Sequence, residues 1–143
     1  MSLRQAIGNV SIASLCLLGG CTLTADEDLF GVHDQIAPQV VQTLPGDDWI
    51  QVPLGIELKI WFSEPVEPNS VYVESLHLYT GQDLMQADYL VSQTENGCGL
   101  VVLRPDSLLV PGVCYHLKIT SLITDLFGNP LEEDKQVIFT TMR

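Results

Sequence analysis

The stretch Ile56-Glu57-Leu58-Lys59-Ile60-Trp61-Phe62 alternates apolar and polar side chains. A period of two places Ile56, Leu58, Ile60 and Phe62 on one face and Glu57, Lys59 and Trp61 on the other. That pattern belongs to a strand with one buried face, not to a helix. Val113-Cys114-Tyr115-His116-Leu117-Lys118-Ile119 repeats it, with Tyr115, Leu117 and Ile119 opposite His116 and Lys118. Gly99–Pro105 and Gln136–Thr141 are β-rich runs, and Ser75–Gly81 and Asp88–Gln93 are weaker ones. The run Pro38–Pro45 carries a proline at each end, which suits an edge strand that needs few ladder donors. Turn residues recur roughly every 8–12 positions, at PGDD, EPVEPNS, TGQD, ENG, VPG and LFGNP. No segment has a convincing 3.6 period. The pattern predicts an all-β, antiparallel sandwich of about seven short strands.

Composition narrows what such a body can do. The 143 residues allow one domain, and 46% hydrophobic residues exclude a disordered chain. Eighteen acidic against six basic residues give a net charge of −12. With no Lys/Arg cluster to offset it, that charge repels nucleic acid and anionic headgroups.

The head of the chain has a different character. Arg4 and the terminal amine precede an apolar stretch, Ala6 to Leu18, interrupted by Asn9, Ser11 and Ser14. It is too short and too polar for a span, which needs about 20 apolar residues, and it fits the core of a secretory signal peptide. Leu18-Gly19-Gly20-Cys21 follows and resembles the lipobox of bacterial lipoproteins. The resemblance implies cleavage between Gly20 and Cys21, a thioether-linked diacylglycerol on the Cys21 sulfur and palmitate-type acylation of the new amine. Several chains, at about 0.8 kcal/mol per buried methylene, make the attachment effectively permanent. Thr22 in place of Asp implies the outer membrane where a host has two. The alternative is a plain secretory signal with an incidental cysteine. Residues 1–20 are thus expected to be a signal peptide, and 21–37 a lipidated cysteine with an acidic tether reaching roughly 20–25 Å. Residues 38–143 form the domain. Loss of Arg4 would take the charge from −12 to −13.

Within the domain, FSEPVEP (62–68), LRPDSLLVPGVCY (103–115), DLFGNPL (125–131) and FTT (139–141) occur in one order. Together they resemble the bacterial Ig-like domain of the type first seen in S-layer protein SbsA. The resemblance implies an Ig-like β-sandwich and a general role as a surface module. Cys98 and Cys114 depart from the family pattern. The turn chemistry is consistent with it: Asp125 can accept from amides two or three residues on, and Gly128 can take the positive φ of a reversal. Pro65 and Pro68 remove ladder donors, so pairing should stop there.

Candidate sites are sparse. His33, His77 and His116 are scattered, and no nucleophile elbow, zinc motif or phosphate-cradling loop occurs. The chain is therefore expected to be non-catalytic and to need no cofactor. Asp47 and Asp48 in the first loop, with Asp125 and Asn129 in the last hairpin, could supply oxygens to calcium, although solvated turns are the plainer account of them. No metal-ligand spacing is present. Trp49 in the first long loop and Trp61 on the outer face could anchor a glycan or protein partner, or cover the sheet. Cys98 and Cys114 could pair in an oxidising compartment, worth about 3 kcal/mol, but neighbouring antiparallel strands would set them about 17–20 Å apart. The expected whole is a non-catalytic envelope lipoprotein, membrane-bound through its lipid. It would contact an envelope protein or glycan, or support an envelope enzyme or export complex.

Overall fold

The computed structural model describes residues 34–143. The expectations for Gly20, Cys21 and His33 fall outside the described residues. Among the described residues nine strands form two packed sheets: β1 Val40–Leu44, β2 Trp49–Val52, β3 Leu58–Phe62, β4 Leu76–Thr80, β5 Asp83–Leu84, β6 Ala87–Gln93, β7 Gly99–Pro105, β8 Cys114–Ile119 and β9 Lys135–Thr141. One sheet has the order β1-β3-β7-β6 and the other β2-β9-β8-β4-β5. In Ig lettering these are ABED and A′GFCC′, the arrangement of an Ig-like sandwich.

The predicted alternation becomes the core. Leu58, Ile60 and Phe62 of β3 and Tyr115, Leu117 and Ile119 of β8 are completely buried, facing each other's sheet with Leu76, Leu78, Leu103, Val137 and Phe139. Each fully buried side chain of this size contributes about 1.5–3 kcal/mol of transfer free energy. Register follows from the same pattern, because a one-residue slip would turn Leu58, Ile60 and Phe62 to solvent.

Two differences from the sequence reading concern the first segment. Nine strands replace about seven, since Trp49 opens a strand instead of lying in a loop, and Asp83–Leu84 completes a hairpin with β4. The sandwich is also not purely antiparallel: β2 runs parallel to β9. The chain leaves the first sheet after Leu44, turns at Pro45 and Gly46 and enters the second at Trp49, so the first strand is shared between sheets. The Trp49 indole packs so closely over Gly46 that a Cβ there would meet its Nε1 at 2.6 Å. Expectations for β1 and the prolines hold. β1 is an edge strand, β3 ends at Phe62, and only an isolated bridge, Val66 to Asp125, follows before a short 3₁₀ turn at Pro68–Ser70.

Tyr115 helps tie one end of the sandwich together. Tyr115, buried near the start of β8, accepts from the Val110 amide at 2.9 Å. This is the tyrosine corner found in Ig-like folds, where the phenol ties the strand to the preceding connection. Two residues on, where antibody domains carry an inter-sheet cysteine, buried Leu117 supplies packing instead.

Candidate functional site

At the end of the sandwich opposite the tyrosine corner, the β8–β9 connection folds around Asp125. Its carboxylate accepts from the amides of Phe127 and Asn129, both at 2.8 Å, and from the Asn129 side-chain amide at 2.6 Å. The donors are thus amides two and four residues on, while Gly128 takes the expected positive φ of 90°. Burial alone would push this carboxyl up. The bonds from the Asn129 side chain and from backbone amides outweigh burial and hold it below the ordinary carboxylate range. Asp125 is therefore an architectural carboxylate, 1% exposed.

The first-loop acids are elsewhere. Asp47 accepts from the Ile138 amide at 2.8 Å, and the Asp48 amide donates to the Ile138 carbonyl at 2.7 Å, so this loop caps the middle of β9. Asp125 lies beyond the start of β9. The structure does not bring Asp47, Asp48 and Asp125 together, and no group of three His, Cys, Asp or Glu residues suited to a metal occurs among the described residues.

Among the described residues Cys98 and Cys114 are free thiols, and the disulfide between them considered from the sequence is not formed. Cys98 precedes β7 in one sheet, near the Asp125 end; Cys114 opens β8 in the other sheet, at the tyrosine-corner end. Their strands are not neighbours at all, so separation across the sandwich, and not only along one hairpin, keeps the sulfurs apart.

The tryptophans also part company. Trp49 is half exposed on the β2 edge. Trp61 is half-buried in the middle of the outer face of the four-stranded sheet, across from Gln42 on β1 and Leu100 on β7. Around it that face is apolar: Leu100 is partly covered, Val102 is buried although it points away from the core, and Leu90 on β6 is 49% exposed. The next row is charged, with Arg104 donating to Glu57 at 2.7 Å and Asp88 paired opposite Arg104 on β6.

The outer face of the five-stranded sheet is aromatic and polar. Tyr79 and His116 stack at 5.1 Å, and His77 lies 5.8 Å from Tyr79. Gln136 meets the His116 Nδ1 at 2.7 Å. Burial, then the Lys118 charge, lower the His77 pKa below the ordinary histidine value, against a weaker opposing hydrogen bond from the ring to the Val73 backbone. Sequence reasoning treated these histidines as scattered. The β4–β8 register, which pairs Tyr79 with His116 and His77 with Lys118, is what collects them.

A family model described as a bacterial Ig-like domain matches residues 34–141. No curated protein matches the chain. Solved structures similar to it include the S-layer protein rSbsC(31-844), with TM-score 0.52, 16% identity and coverage of 75% of this chain and 14% of that one. PcoC, a methionine-rich copper resistance protein from Escherichia coli, has TM-score 0.53 and 15% identity over 74% of this chain and 99% of that one. The native conformation of E. coli alpha-2-macroglobulin has TM-score 0.50 and 17% identity over 73% and 6%. At such identities the likeness is one of fold.

Proposed function

The chain belongs to the bacterial Ig-like domain family, and from that premise we propose that it is a non-catalytic interaction module, held at the outer membrane of a bacterial envelope by acyl chains on Cys21. The observation that carries the non-catalytic part is how the loop acids are used. Asp125 and Asp47 are occupied by backbone amides of the domain itself. Such groups hold turns in place and have no proton or ligand exchange to offer. Anchoring is supported by Leu18-Gly19-Gly20-Cys21 after an apolar stretch of signal-peptide length. The working surfaces are then the sheet faces and edges, and the partner is an envelope protein.

Growth with labelled palmitate tests the anchor: the wild-type protein takes up label and fractionates with membranes, whereas Cys21→Ser loses both. Label that persists in the serine variant, or an unlabelled soluble wild type, would remove this reading.

A second reading, binding of a glycan, is favoured by the Tyr79–His116 stack with Gln136 beside it, a flat ring surface with polar rims. It predicts a rise in melting temperature with a glycan from an envelope panel, lost in Tyr79→Ala. No rise across the panel would dismiss it.

A further inference from the structure

The two sheets have four edges, and three of them are closed to further pairing. β1 carries a register irregularity between Val40 and Gln42 and runs into Pro45. β2 is broken by a positive φ at Gln51, slips register between Trp49 and Val52, and is followed by Pro53. β5 is two residues long. These are the devices by which folded proteins blunt sheet edges.

β6 has none of them. Its seven residues, Ala87–Gln93, pair one-to-one with β7 without a bulge, and contain no proline, glycine, lysine or arginine. It ends its sheet, so among the described residues its other side pairs with no strand. An antiparallel edge of this kind offers alternate amides and carbonyls in line. Its inner side chains hold it firmly: Tyr89 donates across the sandwich to the Leu76 carbonyl at 2.8 Å, and Val91 packs on the core. On the outer face, Leu90 continues the apolar row through Val102.

Charge says what fits the edge. Asp88 lies on the strand and Glu95 in the turn that follows it. Burial, then the negative charges of Asp106 and Glu74, raise the pKa of the inward-pointing Tyr89 phenol. Of the bases on this face, Arg104 is engaged by Glu57, and Lys59 lies beyond Val102 on β3, two strands in from the edge. A second copy would bring the same net charge of −12 to the edge, whereas a cationic strand would complement Asp88 and Glu95.

We propose that β6 is a strand-addition site for an extended, cationic segment of a partner protein, pairing antiparallel to Ala87–Gln93 with an apolar side chain over Leu90 and Val102. Main-chain bonds would supply affinity, and the acids would supply selectivity and orientation. This rests on the interaction-module reading but not on the anchor, because the test uses the domain in solution after cleavage of the tether.

The probe is a fluorescein-labelled peptide of alternating Lys and Val, compared with its Glu/Val counterpart. The Lys/Val peptide is expected to bind saturably, to weaken with added salt, and to slow hydrogen exchange of alternate β6 amides. Leu90→Lys should lower its affinity about tenfold or more. Ile50→Lys, an equal charge change on an exposed residue of β2 at the edge of the other sheet, should have little effect. If Leu90→Lys does not fold, Ser92→Lys on the same side of β6 replaces it. Equal binding of both peptides, equal weakening by the two lysine variants, or no protection of β6 would overturn the proposal. So would a wild-type dimer in sedimentation that Leu90→Lys dissociates, since the edge would then belong to a second copy.

Discussion

The Asp125 hairpin and the β6 edge treat their backbone polar groups in opposite ways. In the hairpin, one carboxylate takes up amides that a reversal would otherwise leave unpaired, and the loop is complete in itself. Along β6, one side of a regular ladder is satisfied and the other faces outward. The first arrangement stabilises the domain and has nothing left to offer a ligand. The second adds little to stability beyond its packing and keeps a full set of donors and acceptors for another chain. Acidic residues occur in both places, so charge alone does not separate structure from function here; what each carboxylate already holds does.

The widest gap between the two regions should appear on truncation. Asp125→Ala removes the acceptor and strands several partly buried amides, and should cost about 3 kcal/mol in urea unfolding. A loss near zero would mean water replaces the carboxylate and would dissolve the contrast. The pH dependence sharpens the same point. Because the folded carboxyl titrates below its unfolded value, its contribution is complete above the unfolded carboxyl range of about pH 4 and disappears as pH falls through the lowered folded value. Asp125→Asn should therefore show a shallower acid limb than the wild type in a series of melts from neutral pH downward.

A smaller effect is expected at the other end. Tyr115→Phe keeps the ring packing but leaves the Val110 amide without its acceptor, for a loss of about 1–2 kcal/mol by chemical denaturation. The smallest belongs to the open edge: Leu90→Lys should change stability by less than about 0.5 kcal/mol while altering peptide binding. A large stability loss there would show that Leu90 is structural and would remove the distinction from that side.

How much of this could be read from the chain follows from the range of each signal. The β3 and β8 alternations are local and strong, and both faces were assigned correctly down to His116, Lys118 and Trp61. The Asp125–Gly128 turn was legible because its chemistry is contained in five residues. Trp49 was misplaced in a loop because β2 is four residues of poor alternation, made a strand only by lying against β9. The cysteine question rested on taking successive strands as neighbours, whereas β7 and β8 belong to different sheets. The His77–Tyr79–His116 cluster and the open side of β6 depend on register and strand order, which no short window of sequence contains. Absence of proline and lysine from Ala87–Gln93 was the one local hint, and it gains meaning only beside the closed edges.

The shared first strand has a mechanical consequence. β2 and β9 run parallel, so a pull on the chain before β1 and an opposite pull on the C-terminal side would slide one past the other instead of peeling them apart. The Asp48 amide on the Ile138 carbonyl, the Ile138 amide on Asp47 and the Met142 amide on the Val52 carbonyl would carry that load at the same moment. A domain pulled at its two ends would resist by its seam and not by its weakest rung.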